Sequence, residues 1–162
     1  MAVTGYMELI IVLSAVMIVE GVLRIPGTEG HYDTGWGLYQ ALNKNSRLHL
    51  LSHTWTEQDI SLWLTKRRIT GHQSYLHAPG PGPAGRLEAL QRIRSWHIGL
   101  VIESDPACAA AELAAGWHTA LISHPADQPP DHYHAIRPWR DLTEAVERQH
   151  DLRLTPHRSE QP

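Results

Sequence analysis

The stretch "MELIIVLSAVMIVEG", residues 7–21, decides how the whole chain is read. Its apolar run, residues 9–19, is 11 residues long, whereas a helix that spans a bilayer needs about 20. Glu8 interrupts the run on its N-terminal side, and no Lys or Arg precedes it to act as the basic region of a secretory signal. No small-residue cleavage site follows. The run therefore reads as a buried β-strand, apolar on both faces, as in a parallel sheet.

Outward from this strand, apolar runs and helical patterns alternate. A Gly-rich polar connection leads to a helix beginning near Trp36 and carrying Leu38, Tyr39 and Leu42. "SRLHLLSHT" reads as a second strand, ending at Ser52. Thr54 and Glu57 have capping-box spacing before "EQDISLWLTKRR", which puts Ile60, Trp63 and Leu64 on one helical face. "HAPGPGPAG" is too rich in Pro and Gly for regular structure and reads as a loop, followed by the helix "GRLEALQRIRSW". "HIGLVIE" is the next strand. In "SDPACAAAELAAG", Asp105 stands as N-cap, Pro106 at the first helical position and Gly116 past the end. "WHTALIS" is a further strand, "HPADQPPDHYHAIRPW" a Pro/His loop, and "DLTEAVERQ" a last helix. Such alternation predicts one α/β domain over residues 1–149 with a central parallel sheet, and a charged tail over 150–162. In that architecture the functional positions are the carboxyl ends of the strands.

The bulk properties exclude several classes. A chain of 162 residues, 42% hydrophobic and 19% charged, can bury one core and is not of disordered composition. A net charge of −3 and a pI near 6.4 give no basic field for nucleic acid. A single cysteine, Cys108, rules out an internal disulfide and any paired-cysteine metal or redox motif. Lys44 and Lys66 are the only lysines, and phenylalanine is absent. With the abundant Ala, Gly, Pro and His, this bias points to a GC-rich genome.

Four segments carry a family resemblance: "IIVLSAVMIVEG", "LHLLSHT", "AGRLEALQRI" and "GLVIESDPACAAAELAAGWHTALIS". Their order over residues 8–147 resembles the haloacid dehalogenase-like (HAD) superfamily, three-layer α/β hydrolases that are mostly Mg²⁺-dependent phosphatases. The resemblance implies a Rossmann-like fold, and the lack of a long insertion after either of the first two strands implies no substantial cap domain. The first segment usually reads Asp-x-Asp-Gly-Val/Thr-Leu, with a nucleophilic aspartate and an acid/base aspartate. Aligned here, Leu13 and Ala15 take those positions, or Ser14 and Val16 one residue on, and Val16 or Met17 replaces the glycine. Ser52 stands where the family binds phosphate through a hydroxyl, though a Ser at a strand–helix junction is also an ordinary cap. Arg86 replaces the usual lysine and reads more simply as an exposed helix arginine. Glu103 and Asp105 are weak Mg²⁺ candidates, since a hard cation wants more oxygen ligands than remain.

Other constellations are thinner. His124, His132 and His134, with Asp127 or Asp131, are candidates for a metal site, but HExxH and Cys/His pairs are absent. Cys108 reads as a small packing residue. Ser52, His53 and Asp105 lack the Gly-x-Ser-x-Gly elbow of a triad hydrolase. Trp55 and Trp139 lie beside loops and are candidate partner anchors.

The expectation is thus a catalytically degenerate HAD-like protein, kept for binding, regulation or assembly. It has no cofactor or metal and no nucleic acid or membrane partner. A protein partner or self-association is expected instead. The alternative is an active phosphatase that uses Mg²⁺ with Ser14, Ser52, Arg86 or Asp105. The resemblance to small HAD-like proteins of actinobacteria and their viruses implies the cytoplasm, that of the host if phage-encoded.

Overall fold

The computed structural model describes residues 13–124 and Arg148. Apart from Arg148, the expected last helix lies outside the described residues, as do the "HYH" loop, Trp139 and the tail.

The strands are β1 (Ser14–Ile18), β2 (Arg47–Ser52), β3 (Ser74–His77), β4 (Ile98–Glu103) and β5 (Thr119–Leu121). They form one sheet in the order β3-β2-β1-β4-β5, and every pair is parallel. The helices are α1 (Asp33–Asn45), α2 (Glu57–Lys66), α3 (Gly82–Arg92) and α4 (Pro106–Ala114), with a 3₁₀ turn at Arg94–Trp96. The chain moves outward from β1 through β2 to β3, then crosses back to β4 and on to β5; the right-handed rule for such crossovers puts α1 and α2 on one face and α3 and α4 on the other. The chain reverses its direction of winding between β1 and β4, so a crevice opens there at the carboxyl edge. No helix among the described residues is long and apolar enough to cross a membrane.

All five residues of β1 are buried, and so are the five that follow Arg47 in β2. Helices close over them through Tyr39, Ile60, Trp63, Leu64 and Leu90, each at most 3% exposed. The opening run is therefore the central strand of a sheet covered on both faces.

Several local expectations shift. α2 is capped by Thr56, whose hydroxyl accepts from the Asp59 N–H while donating to the Asp59 carboxylate, and the Thr54–Glu57 box does not form. β3 falls in a segment with no strand signal, and α3 starts inside the Pro/Gly stretch, with Pro81 as N-cap and Pro83 in the first turn. Proline suits that turn because its missing N–H would have no helical partner. At α4 the punctuation is as expected: the Asp105 carboxylate accepts from the Ala107 N–H at 2.8 Å.

Candidate functional site

The carboxyl edge of β1 is built by Ile18, Val19, Glu20 and Gly21. Val19 continues the pairing with β2 through an N–H···O bond to Leu51 at 2.8 Å. The chain then turns, with the Leu23 and Arg24 N–H groups both donating to the Val19 carbonyl. Gly21 makes this turn at φ +80°, and a Cβ there would lie 2.1 Å from Ser104 Oγ. Only glycine fits both conditions.

The residues aligned with the first motif stand away from this edge. Leu13 precedes β1 and is 41% exposed, Ser14 begins the strand, and Ala15 is buried inside it. At ~3.3 Å per residue, Leu13 stands about 16 Å from Ile18, at the opposite edge of the sheet. Leu13, Ser14 and Ala15 therefore do not converge with Ser52 and Asp105. The glycine at the strand end is Gly21.

Glu20 is 8% exposed and dominates the edge. Its Oε1 accepts from the Ser52 hydroxyl and from the Thr54 N–H at 3.4 Å. Its Oε2 lies 3.7 Å from His53 Nδ1, and both atoms are buried without a hydrogen-bond partner among the described residues. Ser52 is fully buried, so its hydroxyl serves Glu20 rather than a ligand. The Ser104 hydroxyl donates to the Glu20 carbonyl at 3.0 Å and ties the β4 loop to the β1 turn.

A second charged group lies behind. Arg86, expected on a helix surface, is 3% exposed on α3, with its Nε 2.7 Å from Glu103 Oε2 and 3.9 Å from Glu112 Oε1. Both contacts are ion pairs off the hydrogen-bonding line, since none of these atoms makes an aligned bond. Glu103 Oε1 accepts from the N–H groups of Ser104 and Asp105, at 2.8 and 3.1 Å. Glu103 is thus held by the protein itself, and Asp105 is occupied as a cap. Burial first, and the Glu103 charge second, push the Glu112 carboxyl up to about 9. Removing a carboxylate from water disfavours its charge, and one guanidinium cannot neutralise two.

Arg24 follows the turn. Its guanidinium lies over Trp55 at 3.6 Å from the ring centroid, and its Nε has no partner among the described residues. Trp55 is thereby an internal platform. His124, at the end of the described chain, has Nε2 2.9 Å from the Gly21 carbonyl and Nδ1 3.2 Å from Thr34 Oγ1, and stacks on Tyr32. A carbonyl only accepts, so Nε2 carries the proton. Both nitrogens being engaged, His124 is a clamp rather than a metal ligand. Asp127, Asp131, His132 and His134 lie outside the described residues. Among the described residues, no group of three or more His, Cys, Asp or Glu is arranged to hold a metal.

Between these groups is a cavity of about 270 Å³, bordered by Glu20, Arg24, His53, Arg86, Glu103 and Asp105 among others. Its wall offers cationic donors from two arginines and an acceptor from Glu20. Of the hydroxyls at this edge, Ser52 is buried and engaged and Ser104 is committed to a carbonyl, while Thr54 lines the cavity. Sequence reading missed Arg24, took Glu20 only as the end of a motif and weighed His53 only as a triad member. The one available signal was "EG" at residues 20–21, the first polar residue and the first glycine after the apolar run. Neither the protein-family models nor the curated proteins to which the sequence was compared gave a match.

Proposed function

We propose that this chain is a catalytically degenerate HAD-like domain that binds a small polar ligand at the carboxyl edge of its sheet instead of cleaving a phosphate ester. The strand order and the position of the crevice support the resemblance. With the strand end as observed, the motif Asp-x-Asp-Gly-Val-Leu aligns with Ile18-Val19-Glu20-Gly21-Val22-Leu23. The acid/base position then keeps a carboxylate, Glu20, while the nucleophile position holds a buried isoleucine. An aliphatic side chain has no lone pair with which to attack phosphorus.

One observation carries the binding half of this reading. Glu20 Oε2, Arg24 Nε, Arg86 Nη1 and His53 Nδ1 are buried without hydrogen-bond partners among the described residues, and their side chains border one cavity. Each such atom costs about 1–3 kcal/mol unless something satisfies it. A ligand with an anionic oxygen for the arginines and a hydrogen-bond donor for Glu20 answers three of the four, and the same donor would sit beside His53 Nδ1, 3.7 Å from Glu20 Oε2.

The test has two arms. With Mg²⁺ and p-nitrophenyl phosphate, the protein is expected to turn over no faster than its Glu20→Gln variant. Turnover abolished by Glu20→Gln or Asp105→Ala would overturn the reading. In a thermal-shift screen of small phosphates, carboxylates and amino acids, at least one compound is expected to raise the melting temperature, and Arg24→Ala is expected to remove the effect. A screen without any such compound counts against binding.

A further inference from the structure

A larger cavity lies at the other end of the sheet. It measures about 690 Å³ and is lined by Ser14, Arg47, His49, Ser74 and Trp96, among others. That volume is in the range of sites for small organic ligands. These residues come from the amino ends of β1, β2 and β3 and from the turn before β4, so the cavity shares no wall with the carboxyl-edge site.

Three features define what fits. Trp96 is 42% exposed in the cavity wall, and an indole left open beside a cavity is a stacking surface. It is held in place on one side by His49, whose ring centroid lies 5.0 Å away. His49 is fixed in turn by a 2.7 Å bond between Nδ1 and Ser74 Oγ. The second feature is backbone: His97, also in the wall, has φ 54° and ψ 50°, a left-handed conformation that ends the turn carrying Trp96. A non-glycine residue in that region is uncommon and fixes the direction of the chain. The third is charge. Among the described residues no Asp or Glu lines the cavity, Arg47 stands exposed at its rim, and Gln73 and Ser95 add neutral hydrogen-bonding groups. Burial, and the nearby Arg47 charge, lower the pKa of His49, so this imidazole adds no charge of its own at neutral pH.

We infer that this cavity is a second ligand site, for a mononucleotide whose base stacks on Trp96 and whose phosphate meets Arg47. A flat heteroaromatic ring satisfies the indole, its edge atoms suit Gln73 and Ser95, and the acid-free wall admits an anion.

Isothermal titration calorimetry on the full chain tests this with AMP, adenosine and ribose 5-phosphate as probes. AMP is expected to bind, adenosine more weakly, and ribose 5-phosphate least. Trp96→Ala is expected to weaken AMP by about tenfold or more, the usual effect of losing a base–aromatic stack. Arg47→Ala should bring AMP down to the level of adenosine. Both side chains are exposed, so the variants should fold as the parent does. Glu20→Gln, at the opposite edge, should leave AMP affinity unchanged. No heat with millimolar AMP, equal binding of ribose 5-phosphate, or AMP affinity untouched by Trp96→Ala would overturn the assignment. Loss of AMP binding in Glu20→Gln would also overturn it, by moving the ligand to the carboxyl edge.

Discussion

The Ser52 hydroxyl donates to the Glu20 carboxylate between the ends of β2 and β1, with both residues buried. The bond joins the two central strands at the point where a ligand would enter. Removing it leaves Glu20 Oε1 with only the longer contact from the Thr54 N–H. Ser52→Ala should therefore cost about 1–3 kcal/mol of stability, as expected when a buried charged acceptor loses its donor. Urea denaturation measures this. A variant as stable as the parent would return Ser52 to the role of a ligand-binding hydroxyl.

Asp105 tests cap against metal ligand. Its carboxylate satisfies the Ala107 N–H at the start of α4. Asp105→Ala should lose about 0.5–2 kcal/mol, and Asp105→Asn should recover most of it, because an amide oxygen caps nearly as well as a carboxylate. A Mg²⁺ ligand would behave otherwise, since an amide carries no charge. Denaturation midpoints measured with and without Mg²⁺ separate the two cases: a midpoint raised by Mg²⁺ in the parent and in neither variant would refute the cap role.

The legible parts of the fold are those whose chemistry is local. Asp105, Pro106 and Gly116 punctuate a helix because capping needs only neighbouring groups. The opening run reads as a strand because nothing else suits so short an apolar segment. Its end was harder to place: every residue from Ala15 to Val19 is buried, so no inward–outward alternation marks the register. β3 was invisible because it is a four-residue edge strand with only Tyr75 and Leu76 apolar, both half-buried. The burial of Arg86 was hidden for another reason. Its partners Glu103 and Glu112 come from β4 and α4, and nothing in the helix sequence around Arg86 announces a pairing that the crossover creates.

Gly21 carries the turn on which the carboxyl-edge site depends. An alanine at φ +80° costs about 1–2 kcal/mol in backbone strain, and its Cβ would fall 2.1 Å from Ser104 Oγ. Gly21→Ala should thus lose at least that much stability. Adding Ser104→Gly clears the collision but not the strain, so the double variant should recover only part of the loss. Full recovery would mean that the conformation at Gly21 costs nothing.

Cys108 should be inert in the folded state. It is 1% exposed, and burial, then the charges of Glu103 and Asp105, push its thiol up to about 12. The thiolate is the reactive form, so a disulfide reagent at mildly alkaline pH should label the thiol only after denaturant is added. Rapid labelling of the native protein would show that α4 opens.

Glu112 gives the domain a pH dependence of definite sign. In the unfolded chain it titrates near 4.5, whereas in the fold it holds its proton up to about 9. Between those values unfolding releases a proton, so rising pH favours the unfolded state. The contribution is complete below about 4.5, declines as pH rises toward about 9, and then levels off. His49 and His72 act in the opposite sense at lower pH, since burial lowers both below 6.5 and their stabilisation is lost as pH falls through that region. The window from about pH 7 to about pH 9 therefore isolates Glu112 from both histidines. Melting temperatures should fall across it in the parent. Glu112→Gln keeps an oxygen for the Thr119 hydroxyl, which bonds Glu112 Oε2 at 3.1 Å, and removes the ionisation. Its profile should be flatter than the parent's across the window, with only the Cys108 thiol contributing near pH 9, and lie above the parent's at the alkaline end. Equal slopes in the two proteins would show that Glu112 is already ionised beside Arg86 in the native state.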